Sequence, residues 1–345
     1  MDLKPGELYF INEQDIRTGE RSNYYKIGIV YAHKRRDSTN RLLEHQTGNP
    51  RQLHIVETMN IQGVRAVEIN LHHLFARHRA KGEWMWFSEA ELQAAISKAK
   101  QLASEMPDFI KDVEKSEELE HMLSNGIVLP ATDEAKQLYA IIMNFKPVIK
   151  KCKNLKDQYK KYLEEAIKKG VDIGGKATYE SRPGTKRFDE SMFSTKYPQL
   201  FKKYLETKRV IAGPFNPQLN KDWVADPLIL EKEQWDLISD FEEQLAKADH
   251  KLDSDFSLHA SYLGIKEILA YADWQNDKAN TKLRVLTGVA EGIEEICRWK
   301  RIEKETIFLD KEKLEANHLE EYMSCQIKGA ETQVLKVNPG NAPVR

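Results

Sequence analysis

Cysteine is scarce in this sequence: Cys152, Cys297 and Cys325 are odd in number and far apart among 345 residues. That spacing excludes a disulfide framework and a paired-cysteine zinc site, and it fits a reduced, cytoplasmic chain. Long apolar runs are lacking as well. The longest, Leu138 to Met143, is far too short to cross a bilayer. The N-terminus has no basic segment leading into an apolar core. The expectation is an intracellular protein with no membrane partner. Net charge is also nearly absent, at -1, but this average conceals an asymmetry.

Residues 131–215 carry 19 Lys and Arg against 10 Asp and Glu, whereas residues 216–345 carry 17 against 25. A basic middle and an acidic end suggest that the middle faces a polyanion and the end faces something else. Solvated helix faces would give the same count. The length exceeds that of a usual single domain, so two or three units are expected.

In the first hundred residues, Leu8 to Ile11 and Tyr24 to Tyr31 are rich in aromatic and β-branched residues, with a polar segment between them. They read as a hairpin with a long loop, and Leu53 to Met59 as a third strand. Ser38 to Gln46 reads as a short helix capped by Ser38 or Thr39 and stopped at Gly48, with Arg41 and His45 one turn apart. Val64 to Arg79 has apolar residues at helical spacing, and it places Glu68 and His72 on one face. Gly82 to Phe87 is an aromatic strand or turn, and Ser88 to Ser104 a third helix. The unit is a small α+β domain with a three-stranded sheet flanked by helices.

The order of Tyr9, Lys26-Ile27-Gly28, Arg41 with His45, and a helical Glu68 resembles the GIY-YIG nuclease domain over about residues 5–100. It is similar to the phage and bacterial branch with a Lys-Ile-Gly second motif, a Thr-Gly-Asn-Pro stretch (Thr47 to Pro50), a Leu-His pair after the glutamate, and a Gly-Glu-Trp ending. Two positions depart from the pattern. The first motif is Leu8-Tyr9-Phe10, keeping only its tyrosine, and Lys26 stands where the second motif has its own tyrosine.

The resemblance implies a phosphodiester hydrolase in which Glu68 holds one divalent metal, Mg²⁺ or Mn²⁺. A lone carboxylate suits an ion that keeps most of its waters. Arg41 would fork onto the scissile phosphate. Tyr9 and Lys26 would position the attacking water or take its proton, and His45 is a second proton carrier. As a base Lys26 must be neutral; charged, it stabilises developing negative charge instead. Tyr25, His72 and Glu83 would support these groups.

Residues 107–130 read as an acidic linker ending in Leu129-Pro130. Thr132 to Lys169 reads as two helices broken near Pro147 or Asn154, forming an antiparallel hairpin. A Gly-containing loop, a strand at Ala177 to Ser181 and short helices ending at Tyr204 follow. This basic module, 131–215, resembles the extension after the catalytic domain of YqaJ-type phage recombination exonucleases. An acidic module, 216–337, suggests a degenerate second copy, since Gly170 to Asp189 and Gly292 to Asp310 have nearly equal spacing. Residues 338–345 read as a disordered tail. The cations expected at phosphates are Lys34, Arg35, Arg36, Lys150, Lys151, Lys153, Lys160, Lys161, Lys186 and Arg187.

These readings give a metal-dependent DNA endonuclease of phage or prophage type, acting on double-stranded or branched DNA rather than RNA. Its acidic module would contact a protein partner or a second copy. The alternatives are a catalytically idle module that binds DNA, and an interaction protein of phage recombination.

Overall fold

The computed structural model describes residues 1–32, 36–171, 173–220, 230, 232–248 and 255–338. The chain is α+β, as the sequence indicates. The sheet of the first unit has five strands where three were expected. Strands β1 (Gly6–Gln14), β2 (Arg21–Tyr31) and β3 (Gln52–Ile61) are joined by the short β4 (Arg79–Lys81) and β5 (Trp84–Trp86), in the antiparallel order β3-β1-β2-β5-β4. The extra pair comes from the Gly82-Glu83 turn, which folds Trp84 back against Lys26.

Period-two alternation separates the two faces of this sheet. Tyr9, Ile11, Val30 and Leu53 cluster on one face with Leu42 of α1 (Ser38–Gln46). Leu8, Phe10, Tyr25 and Ile27 cluster on the other with Val64, Val67 and Leu71 of α2 (Val64–Leu74) and Leu92, Ala95, Ile96 and Ala99 of α3 (Glu89–Glu120). The α1 cap is Asp37, not Ser38 or Thr39, because Asp37 and Asn40 form a reciprocal capping box. Ser38 is buried instead, its amide donating to Glu7 Oε2 at 2.7 Å.

Two expectations fail at prolines. Residues 107–120, read as linker, continue α3 through Pro107, with Phe109 and Leu119 buried. Likewise α4 (Asp133–Lys168) runs unbroken through Pro147. An interior proline costs about 3 kcal/mol, but Phe145, Val148, Cys152, Leu155, Tyr159 and Leu163 form one continuous buried stripe that outweighs it. The antiparallel partner of α4 is α8 (Asp255–Thr287), not a second half of the same segment. Helix α7 (Lys232–Lys247) adds Ile238 and Phe241 to this core.

After α4 come β7 (Ala177–Arg182), β8 (Lys186–Phe188), α5 (Glu190–Lys196), α6 (Pro198–Lys203) and β9 (Leu205–Ala212). After α8 come β13 (Ile302–Leu309), α9 (Lys311–Asn317), α10 (Leu319–Ser324), β14 (Gln326–Lys328) and β15 (Thr332–Val337). Between these sets, β10 (Gln218–Leu219), β12 (Cys297–Arg298), β11 (Gly292–Ile293) and β6 (Val128–Leu129) make a small separate sheet. Each set thus runs from a long helix through strand structure to an aspartate-capped helix pair and a further strand. The equivalence passes through Asp189 and Asp310, and not through Gly170 and Gly292, which lie in a helix-ending turn and in the small sheet.

The two sets interlock. β8 pairs with β14, β7 with β15, and β9 with β13. The Asp189 amide donates to the Cys325 carbonyl and the Asp310 amide to the Tyr204 carbonyl, both at 2.9 Å. The Asp189 carboxylate caps Met192 and that of Asp310 caps Lys313. A constant shift along the chain relates all these residues, so the module has an internal pseudo-twofold. Asn338, read as part of a loose tail, is held by its amide on the Lys176 carbonyl at 2.8 Å; residues 339–345 lie outside the described residues.

Candidate nuclease site

The site begins with a strand pair. Tyr9 on β1 lies opposite Gly28 on β2, and its ring crosses the space a side chain would fill. A Cβ on Gly28 would sit 2.6 Å from Tyr9 Cζ. The tyrosine is buried, and that burial raises its pKa even though Arg41 hydrogen-bonds its hydroxyl. It is therefore a neutral phenol at physiological pH.

Two residues before Gly28, and so on the same face, stands Lys26, only 3% exposed. Its ammonium is paired with the carboxylate of Glu83 in the β4–β5 turn. Burial pushes Glu83 up, but the Lys26 ammonium prevails and holds it below the usual carboxylate range. Helix α1 supplies Arg41, whose Nη1 donates to Glu44 at 2.6 Å. It also supplies His45, whose pKa is lowered to about 4 by burial and by the positive charges of Lys26 and Arg41. His45 Nε2 is buried with no hydrogen-bond partner among the described residues. A neutral imidazole with a buried, unpartnered nitrogen is thus held in a field of two cations.

Helix α2 brings Glu68, 4% exposed, within electrostatic range of Tyr9, Lys26 and Glu83. Burial raises its pKa to about 7, against the pull of Arg65, with which it forms an ion pair across one turn. One turn further on, His72 donates through Nε2 to the Ile27 carbonyl and accepts at Nδ1 from Arg79, both at 3.2 Å. A carbonyl only accepts and a guanidinium only donates, so this imidazole is a neutral Nε2–H tautomer. Its lowered pKa of about 4, due to burial first and Arg79 second, agrees. His72 therefore fastens α2 to the strand that carries Lys26.

Of the residues singled out in the sequence, Tyr9, Lys26, Arg41, His45 and Glu68 gather here, supported by Glu83 and His72. Tyr25 does not join them; it faces the helical core, 6.2 Å from Phe87 between ring centroids. Arg65 and Arg79 were not singled out. The Arg65–Glu68 spacing is an i,i+3 pair legible on the helix, whereas Arg79 is reached only through the folded turn. Among the cations expected at phosphates, Lys34 and Arg35 lie outside the described residues. Arg36 is paired with Glu44. Lys151 is paired with Glu242 and Lys153 with Asp273 at 3.1 Å, so the acidic segment neutralises part of α4 internally. Lys150, Lys186 and Arg187 are exposed.

No group of three His, Cys, Asp or Glu side chains with metal-binding placement occurs among the described residues. That donor set is wrong for a closed zinc site. Glu68 is the carboxylate of the cluster that could serve a divalent ion, and one of its oxygens is held by Arg65.

The helix that carries this site is backed by α8. His73 lies on Tyr271 with ring centroids 3.3 Å apart and hydrogen-bonds Gln234 at 3.0 Å. Asn70 accepts from Gln275 at 3.1 Å, and Arg79 pairs with Glu267 at 2.6 Å. Trp274 enters the first unit's core against Phe109. No helix among the described residues is long and apolar enough to cross a membrane. All three cysteines are free and buried.

Residues 6–100, which include every residue of this cluster, match the T5orf172 domain, a phage-associated domain related to nucleases. No curated protein and no solved structure matches the chain.

Proposed function

We propose that this protein is a metal-dependent DNA endonuclease with a GIY-YIG-type site in residues 6–100. What supports the reading is the convergence of a buried phenol, two cations, a neutral imidazole and a buried carboxylate from two strands and two helices. Phosphodiester hydrolysis needs those functions together: a proton acceptor for water, charge to meet the phosphoryl oxygens, and an anchor for a metal.

Arg41, whose side chain is 34% exposed, would leave Glu44 and bind two oxygens of the scissile phosphate. The ion-paired ammonium of Lys26 has no lone pair with which to accept a proton, so its role is electrostatic, with Glu83 fixing its position. His45 Nε2 is unpartnered and neutral but buried, so it would take the proton of the attacking water only once substrate binding draws a water against it. Arrival of the phosphate charge offsets the field of Lys26 and Arg41 and makes that imidazole more basic. Tyr9 orients the water through its hydroxyl. Glu68 would hold Mg²⁺ or Mn²⁺, which when bound neutralises charge on the phosphoryl and leaving oxygens.

One observation favours the second reading, a DNA-binding module without catalysis: Arg65 already occupies one oxygen of the Glu68 carboxylate. Supercoiled plasmid and single-stranded DNA incubated with the full chain in Mg²⁺, Mn²⁺ or chelator decide between the two. Metal-dependent nicking supports the nuclease; tight binding with no cut in either metal supports the binder.

A further inference from the structure

The two interlocked sets differ where their backbones agree. The β7–β15 and β8–β14 pairs keep one register, Ala177 opposite Val337 and Phe188 opposite Gln326, across a stretch at 183–185 and 329–331 that has no strand pairing but is bridged by the Gly329 amide donating to the Thr185 carbonyl at 3.1 Å, so they line up as one antiparallel arm. The dyad-related ribbon is β9 with β13. One face of the first ribbon packs Ala177, Leu335 and Val337 into the helical core, while Thr178, Glu180, Arg182, Thr332 and Lys336 on the other face are exposed. In this ribbon Lys186 stands directly opposite Lys328. Like charges at that spacing repel, and neither has a carboxylate partner among the described residues. The corresponding pair in the second ribbon is Thr207 opposite Ile307. Register puts Arg182 and Lys336 on the same face as the lysine pair. Glu180 is the one acid among them, 3.8 Å from Arg182.

We infer that the ribbon 177–188/326–337 is a duplex-DNA binding arm that enters the major groove. An antiparallel pair of strands fits the width of the B-form major groove. The stripe from Lys336 to Lys186 and Lys328 runs over about 27 Å, roughly eight base pairs. The repulsion between Lys186 and Lys328 is relieved when phosphates lie beside them. Gly184 serves this arm: a Cβ there would run into the Gly329 carbonyl, so the strands can stay close only with glycine. A-form RNA, with its deep and narrow major groove, is excluded by the same geometry. The inference deepens the nuclease reading by assigning how its DNA is held.

The test is anisotropy of a fluorescent DNA duplex about three helical turns long, titrated with the full chain in chelator across about 50 to 200 mM salt. Lys186→Ala/Lys328→Ala should weaken binding about tenfold and reduce the slope of log affinity against log salt by about 2, with no loss of thermal stability. Thr207→Ala/Ile307→Ala should bind as wild type, and duplex RNA of the same sequence should bind more weakly. An unchanged slope, an equal loss in the Thr207/Ile307 variant, or equal binding of duplex RNA would each overturn the inference. Chelator removes cleavage from the readout, so plasmid nicking with wild-type-like binding by the lysine variant sinks the arm alone, and arm binding without nicking sinks the nuclease alone.

Discussion

Tyr9 occupies the place where any residue but glycine at position 28 would put its side chain. The phenol lies across β2, and a Cβ on Gly28 would be 2.9 Å from its Cε2. Gly28→Ala should therefore displace Tyr9 from Arg41. The expected outcome is an overpacking cost of about 1–3 kcal/mol and a cleavage rate lower by about a hundredfold, since misplacement near 1 Å is costly to catalysis. Urea unfolding and single-turnover cleavage measure the two parts; a variant as active as wild type would show that Tyr9 is only a packing residue.

The Lys26–Glu83 pair is asymmetric in burial, with side-chain exposures of 4% and 47%. Removing Glu83 strands a buried ammonium, whereas removing Lys26 leaves a carboxylate that water can reach. Glu83→Gln should cost about 3 kcal/mol, and Lys26→Met about 1 kcal/mol or less. Activity should fall in both. Denaturant midpoints that rank the two variants the other way would refute the assignment of Glu83 as the residue that positions Lys26.

Acid should loosen the contacts of α2 with β2, through His72, and with α8, through His73. His72 and His73 are both pushed to about 4, by burial first, and His72 additionally by Arg79. An unfolded histidine titrates near 6.5, so the folded state binds fewer protons between those values. The stability they supply is present above pH 6.5 and is lost as pH falls toward 4, on the order of 2 kcal/mol each after screening. His73→Gln should flatten that acid limb in urea midpoints taken from pH 7.5 to 5. An acid limb as steep as the wild type's would remove His73 from the account.

Glu68 acts with the opposite sign. Its folded pKa of about 7 lies above the ordinary 4.5, so the folded state holds the proton more tightly. That contribution is complete below pH 4.5 and disappears as pH rises through 7. Glu68→Gln should remove that loss, and a difference in midpoint between variant and wild type that stays constant from pH 4.5 to 7 would contradict the burial of this carboxylate.

Much of the first unit was legible because its signals are local. Alternation marked β1 and β2, helical spacing marked α2, and Tyr9, Lys26, Arg41 and Glu68, picked out by their order, lie together in the fold. The pairing of β5 with β2 was less so, since strands of three residues carry too little pattern. The prolines misled where long-range burial outweighed a local cost, as at Pro107 and Pro147. Nothing in single-residue chemistry reveals that Lys186 faces Lys328 from far along the chain, or that Lys151 is neutralised by Glu242. The first follows from the pairing of β8 with β14 and the second from the packing of α7 on α4.

The most direct test of the central claim compares single-turnover cleavage of supercoiled plasmid in Mg²⁺ by wild type and Glu68→Gln, at protein concentrations where both bind the DNA fully. The account requires nicking by the wild type and a rate at least about a hundredfold lower in the variant with binding unchanged. Cleavage undiminished by Glu68→Gln, or saturated binding without any nicking by the wild type, would contradict it.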